Sequence, residues 1–435
     1  MKSWKDQYKP EVQKLITEVE QQIQPKLNEI DDQVTYNQQK VLNAFQKERV
    51  AEENLNGATG YGYNDMGRDA LDQVYADVFK TEDALVRPQF VSGTHTISTA
   101  FFGMLRPNDK LLYLTGMPYD TIQEVIGITG EAGRGSLKDF QIDFDYVPLL
   151  ADGKVDFEEM RPKLTPDVKV VAIQRSRGYD SRASFTVTEI EAMVKQVRKV
   201  APDVTIFVDN CYGEFSETIE PTEVGVDVMV GSLIKNAGGG IAQTGGYVVG
   251  RRSLIEKIAS RLTNVGSGKE EGATLENLRR MFQGFFMAPA VTGAAIKGAI
   301  FESAILEKCG LQVDPKWNDA RTDLIQTINF GKPEPMIKFA KQIQKNSPID
   351  SYVDPEPSVM AGYEDKVIMA AGTFVQGASI EFSADGPLRA PYTLYLQGGL
   401  TYAHVKVAIA KAVEATFLVD VRKPDMILDG QIFNW

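Results

Sequence analysis

The sequence predicts an α/β fold built around a mostly parallel sheet, and three observations carry that expectation. Two short apolar runs, residues 204–208 (VTIFV) and 226–230 (VDVMV), are nearly continuous rather than alternating. Runs of this kind suit strands buried on both faces of a parallel sheet. The first run ends at Asp209-Asn210, and the second ends at Gly231-Ser232 with Lys235 three residues later. Glycines at 238–240 and 245–246 follow, and a third short run at 247–249 closes the unit. In open α/β sheets ligands bind outside the carboxyl ends of the strands. The segment 203–250 is therefore where chemistry is expected.

An acid and a lysine, 26 residues apart and each at a strand end, are the pair a pyridoxal 5'-phosphate site requires. The lysine amine condenses with the cofactor's aldehyde, and the acid holds the pyridine nitrogen protonated so that the ring accepts electrons. A lone lysine after a strand is ordinarily a solvated loop end, so the weight rests on the ordered set. That set is V-D-N at 208–210, S-x-x-K at 232–235 and the glycine-rich turn after it. With these residues the chain resembles the cystathionine/methionine lyase group of fold-type I pyridoxal-phosphate enzymes, in its methionine gamma-lyase-like, aluminium-resistance branch. The resemblance spans roughly residues 55–417 and is strongest over 203–250.

The resemblance implies a large domain with a mostly parallel seven-stranded sheet flanked by helices, and a smaller C-terminal α+β domain. The expected division is an N-terminal helical arm (1–55), a cofactor-binding domain (56–290), and a bridging helix with the small domain (291–435). The implied activity is carbon–sulfur lysis of a sulfur-containing amino acid. Lys235 removes the α-proton, Asp209 keeps the ring nitrogen protonated, and a β- or γ-sulfur group leaves. Ser232 is expected to bond the cofactor phosphate. The lyase group often has Thr immediately before its lysine, whereas Ile234 stands here. Aminotransferase or aldolase chemistry on the same fold remains an alternative, as does a cofactor-binding protein without turnover. No dinucleotide-binding fingerprint exists.

Bulk properties narrow the partners. At 435 residues the chain exceeds one ordinary domain. An apolar share of 43% with 24% charged residues is that of a globular protein. A formal charge of −12 argues against nucleic acid and anionic membrane, which demand clustered Lys and Arg. Only His95 and His404 are present, so no histidine-built metal site is expected. Cys211 and Cys309 lie far apart in no metal or redox spacing, which suits free thiols and a cytoplasmic setting. The N-terminus lacks a signal-peptide pattern, and no run of 18 apolar residues is seen.

Taken in order, Val12, Leu15, Ile16, Val19 and Ile23 follow helical spacing, and Pro25 suits the first turn of a second helix carrying Leu27, Ile30, Val34, Val41 and Phe45. This stretch is either a core-facing helix or an arm lying across a partner subunit. Four glycines make 57–67 a loop. In the lyase group the corresponding loop reaches a neighbour's site, where a Tyr and an Arg two residues on bind phosphate, implying a homodimer or homotetramer with shared sites. Tyr61 matches that tyrosine, but position 63 is Tyr, and Arg68 is the nearest substitute.

Residues 84–91 read as a strand that turns through Ser92-Gly93-Thr94 into an apolar helix. A helix N-terminus offers N–H groups to an anion, so Ser92, Gly93 and Thr94 are candidate phosphate ligands, beside the simpler reading of an N-cap. After the strand at 110–114, the resemblance gives Tyr119 the role of stacking on the pyridine ring and assisting the leaving group. A strand at 169–173 leads into an arginine-rich loop, where Arg175, Arg177 and Arg182 face substrate, phosphate or solvent; Arg182 is a candidate substrate ligand. The Asn-Pro pair usual in the lyase group is absent from this loop. Thr188 with Glu191 is expected to cap the next helix. Residues 253–262 are helical, and 265–270 superficially matches a phosphate-binding P-loop but lacks its first Gly. The segments 266–272 and 283–289 are expected to rim the site, ahead of a long apolar helix at about 290–308. Helices are expected at 336–344 and 402–417. In the loop 382–392 a Gly-Pro turn precedes Arg389, placed by the resemblance as the anchor of the substrate carboxylate. No role is assigned to 418–435.

Overall fold

The computed structural model describes residues 2–360 and 365–417; the unassigned stretch 418–435 lies outside the described residues. The chain forms two compact units. One comprises Gln33–Thr292 with Arg321–Asp323, and the other Met1–Asp32, Gly293–Ala320 and Leu324–Trp435.

In chain order the first unit begins in helix α1 (Pro10–Lys47), which starts in the other unit, and continues with α2 (Met66–Val78), β1 (Asp83–Arg87), α3 (Gly93–Met104) and β2 (Lys110–Tyr113). Helix α4 (Asp120–Ile126), β3 (Asp143–Tyr146), α5 (Phe157–Lys163), β4 (Val168–Gln174) and α6 (Val187–Val200) follow. Strands β5 (Thr205–Asp209), β6 (Val228–Ser232) and β7 (Gly246–Gly250) then lead to α7 (Arg252–Leu262) and α8 (Leu278–Lys308). The seven strands form one sheet in the order β1-β7-β6-β5-β4-β2-β3. Every pairing is parallel except those of β7, which runs antiparallel to both β1 and β6.

Strict alternation along each strand feeds two cores. Ile206 and Val208 pack with α2, α6 and the start of α8, joining Tyr75, Ile190, Met193 and Phe285. Phe207, Val228 and Val230 pack on the other face with α3, α4 and α7, joining Phe101, Ile122 and Ile255. The period of two therefore places Asp209 and Ser232 on the α3 side and Gly231 on the α2 side. This is how the sequence aims one residue of each strand end at the site.

The other unit holds β8 (Gln312–Asp314), β9 (Gln326–Asn329), α9 (Pro333–Lys345), β10 (Val367–Ala370), β11 (Ser383–Pro387), β12 (Thr393–Gln397) and α10 (Tyr402–Phe417). Its sheet, in the order β10-β11-β12-β9-β8, is antiparallel throughout.

Several local expectations are corrected. Pro25 lies inside one continuous helix rather than starting a second. Its break costs about 3 kcal/mol, while Val12, Leu15, Ile16, Val19, Ile23, Leu27 and Ile30 are all buried, each contributing roughly 1.5–3 kcal/mol. Burial wins. That burial is intramolecular: the Lys9 N–H donates to Glu414, and Lys406 of α10 pairs with Glu20 at 3.0 Å. The first part of the helix, up to Asp32, thus packs within its own unit. Helix α6 is capped by Thr186 with Glu189, two residues earlier than expected, because that start brings Val187, Ile190, Met193, Val194 and Val197 onto the core face. Strand β3 carries the pattern DFDY and was hidden by its charges. Helix α8 begins at Leu278, ahead of the start expected near 290, so the whole of 283–289 is helix. Together with the turn before it, α8 is long and apolar enough to cross a membrane, but 72% of its most apolar window is buried, as in a core helix.

Candidate active site

The C-terminal edge of the large sheet brings the sequence-predicted residues together. β5 delivers Asp209, which sits beside Gln174 of β4 and Val230 of β6 in register. Asp209 is buried, and its Oδ1 accepts the N–H of Cys211 at 3.1 Å. Its carboxyl is pushed up by burial, while Lys235 and the Cys211 N–H pull the other way. Lys235 is held over the face of Tyr212, with Nζ 4.0 Å from the ring centroid. Burial presses the Lys235 ammonium toward losing its proton, but the acidic groups of Cys211, Tyr212, Tyr119 and Asp209 outweigh it and raise its affinity for the proton.

Ser232 ends β6 on the same face, fully buried, and its Oγ has no hydrogen-bond partner among the described residues. Gly93, at the first turn of α3, stands against it: a Cβ there would lie 3.5 Å from the Ser232 Cβ and 3.6 Å from Cys211 Sγ. Glycine leaves that wall open. Ser92 is the N-cap of α3, its hydroxyl accepting from the His95 N–H at 3.0 Å, so the cap reading holds for the side chain. The first-turn N–H groups of a helix have no carbonyl partner within it, which leaves Gly93 and Thr94 suited to an anion. The Thr94 hydroxyl meets that of Thr121 at 3.1 Å and also bonds Tyr119. Tyr119 is the N-cap of α4 and is anchored through its backbone N–H to Gln174 Oε1 at 3.3 Å. Burial pushes its phenol up, with Asp209 adding to the shift.

This cluster fits pyridoxal 5'-phosphate. A buried unpartnered hydroxyl and a helix N-terminus opened by glycine suit a phosphate. A carboxyl and an amine at the neighbouring strand ends suit its ring nitrogen and its aldehyde.

The other candidates lie elsewhere. Arg175 is fully buried and donates to Asn210 Oδ1 (2.7 Å), the Gly213 carbonyl (3.0 Å), Glu217 (2.8 Å), Ser216 and Thr322. Arg182 is buried too and donates to the backbone carbonyls of Gln174 (3.0 Å), Ser176 (2.8 Å) and Ala183 (2.9 Å), lying over the Phe185 ring. Both guanidiniums are spent on the protein's own loops rather than presented to substrate or solvent. Arg68, the substitute considered for a phosphate contact, is buried and ties the Gly62 carbonyl at 2.8 Å. Tyr61 is 70% exposed and stacks on Tyr63, in a loop stitched to 271–275 by the bonds Gly272 N–H to Tyr61 O and Leu275 N–H to Ala58 O. Arg389 lies in the other unit with a side chain 59% exposed and Asp365 at 3.7 Å.

Sequence reasoning missed Cys211, Tyr212, Gln174 and Asn236. Asn236 donates to the carbonyls of Tyr212 (2.9 Å) and Glu214 (3.0 Å), fastening the lysine segment to the turn after Asp209. For Cys211, Tyr212 and Asn236 the only signal was adjacency to Asp209 and Lys235, and for Gln174 it was a place at the end of the strand read at 169–173.

The methionine gamma-lyase family profile matches residues 12–417. The chain belongs to the methionine gamma-lyase family. Pyridoxal 5'-phosphate is accordingly its cofactor, and the fold is that of fold-type I enzymes. Among relatives, the uncharacterised protein YnbB of Bacillus subtilis is 52% identical over 404 residues, covering 93% of this chain and 96% of its own. A solved structure from Listeria innocua, described as a candidate cystathionine beta-lyase involved in aluminium resistance, is 56% identical with a TM-score of 0.92, covering 93% of this chain and 99% of that one. A carbon-sulfur lyase involved in aluminium resistance from Clostridium novyi is 49% identical with a TM-score of 0.90, covering 93% and 96%.

Proposed function

We propose that this family member is a carbon–sulfur lyase of the cystathionine beta-lyase or methionine gamma-lyase type, acting on a sulfur-containing amino acid by β- or γ-elimination. The observation that carries the reading is the convergence of Asp209, Ser232 and Lys235 on one edge of the sheet against the α3 N-terminus. When bound, the cofactor supplies an electron sink for the pair left behind at the substrate's α-carbon. The chain's own residues do the rest. Lys235 Nζ would hold the cofactor and would serve as the base that takes the α-proton. Asp209 keeps a proton on the ring nitrogen. Ser232 Oγ and the N–H groups of Gly93 and Thr94 hold the phosphate. Tyr119, given its place by the resemblance, would cover the ring, and its phenol, kept protonated by burial, would donate a hydrogen bond to a departing thiolate. Arg389 is assigned to the substrate carboxylate, a role suited to a planar guanidinium.

We also assign Tyr61 to the site of a second copy, in a homodimer or homotetramer. The supporting observation is an exposed tyrosine pair on a loop otherwise fastened by backbone bonds. Sedimentation showing a fully active monomer overturns that part.

The direct test is a panel of sulfur amino acids assayed together for thiol, ammonia and 2-oxo acid, with borohydride reduction and peptide mapping in parallel. Equal release of all three products and a pyridoxyl group on Lys235 are expected. Retention of the amino group on the protein, with no thiol released, assigns the chain to transamination instead.

A further inference from the structure

Glu214 lies five residues beyond Asp209 and plays no part in the chemistry above. It is wholly buried. Its Oε1 accepts from the Tyr247 hydroxyl at 2.7 Å, and its Oε2 has no hydrogen-bond partner among the described residues. Among the described residues no cation is hydrogen-bonded to either oxygen. A buried carboxylate in that state is costly unless it keeps its proton.

The surroundings are built for this side chain. Gly231 of β6 faces it, on the sheet face opposite Ser232, and a Cβ there would overlap the Glu214 carboxyl and the Tyr247 ring. The Glu214 backbone carbonyl accepts from Asn236, the residue after Lys235. Glu214 therefore connects the Asp209 turn, the lysine segment and β7. The titratable groups facing it are Lys235, Cys211 and Glu220 from the strand ends, Tyr247 from β7 and Tyr75 from α2. Burial pushes the Glu214 carboxyl up to about 8; Glu220 adds to the rise, and the Tyr247 hydroxyl and Lys235 oppose it.

We propose that Glu214 is a positioning residue for the Lys235 amine: carried as a neutral acid, it ties the lysine segment to β7 without setting a second anion beside Asp209, and loss of its proton raises still further the proton affinity of the Lys235 amine, so that it gives up a proton less readily, which closes the alkaline side of the activity profile. The effect on Lys235 follows from like reasoning to its pairing with Asp209, since an added negative charge favours the protonated amine. The proposal rests on Lys235 as the cofactor lysine, which borohydride mapping tests by itself.

The experiment compares the wild-type and Glu214→Gln holoenzymes. An acid whose folded value lies above its unfolded one holds a proton where the unfolded chain has lost it. The Glu214 contribution to wild-type stability should therefore fall as pH rises from about 4.5 to about 8 and change no further beyond. Gln has no such dependence. The ratio of the two unfolding constants should grow by up to about tenfold per pH unit across that window. The alkaline limb of kcat should move to higher pH in Glu214→Gln. A stability gap that is flat above the ordinary carboxylate range overturns the proposal, and so does an alkaline limb that does not move. Where Glu214→Gln fails to fold, infrared titration of the wild type answers. A buried carboxylic-acid carbonyl band should persist at neutral pH and persist to higher pH in Tyr247→Phe, which loses a donor to the anion. Absence of that band at neutral pH overturns the proposal.

Discussion

Two clusters of polar residues stand one strand apart at the same edge of the large sheet, and they use charge in opposite ways. Around Arg175, at the end of β4, every contact is internal: the guanidinium reaches Asn210, Gly213, Ser216, Glu217 and Thr322. Gly213 is a glycine because a Cβ there would run into that guanidinium. Around Lys235, at the end of β6, the opposite holds. Ser232 Oγ is buried without a partner among the described residues, and Gly93 leaves its side of the site open rather than packed. A network whose members satisfy one another is scaffold, and one left short is arranged for a ligand. The arginine cluster fixes the turn 210–217, and the lysine cluster uses that turn.

The sharpest test of the contrast is Asp209→Asn. The amide keeps the shape but cannot stabilise a charged ring nitrogen. Turnover should fall at least about hundredfold, the scale of losing one preorganised electrostatic contact, while cofactor absorbance persists. Near-normal turnover moves the role elsewhere. Arg175→Ala should act on stability instead, costing about 3–5 kcal/mol because buried Glu220 and Asn210 lose their partner. Denaturant unfolding checks this, and an unchanged midpoint breaks the comparison.

Arg389→Ala should do neither. Removing a fork-shaped carboxylate ligand should raise KM by about tenfold, near 1.4 kcal/mol, without moving the unfolding midpoint, since that side chain is 59% exposed. Lys at 389 should recover only part. Unchanged KM removes Arg389 from the site. An effect on the cofactor rather than the substrate is expected for Ser232→Ala. One hydrogen bond to a charged phosphate contributes about 1.5 kcal/mol or more, so cofactor affinity should weaken roughly tenfold, read by equilibrium dialysis of the stripped enzyme. No change in affinity would leave the orphaned hydroxyl without a ligand role.

Much of this was legible beforehand where a local pattern and a physical need coincide. Continuous apolar runs marked β5, β6 and β7, and the ends of the first two marked the candidate site. Boundaries were less legible: both Thr186 and Thr188 head a T-x-x-E pattern, and only the packed face of α6 selects the first. Strand β3 was invisible because its DFDY pattern is accepted at an edge where one face stays open.

The sequence by itself determined the fold class, the strand ends that hold the candidate site, and, with the family resemblance its motifs carry, the cofactor, because each follows from short-range order along the chain. Burial was decided only by the tertiary structure. Arginines 175 and 182 read as ligands for substrate or solvent and are buried ties to the protein's own loops. Glu214 read as nothing and is a buried acid against Tyr247. A charged residue's role depends on what surrounds it in three dimensions. Those partners lie on other strands and helices, at sequence distances that no local pattern spans.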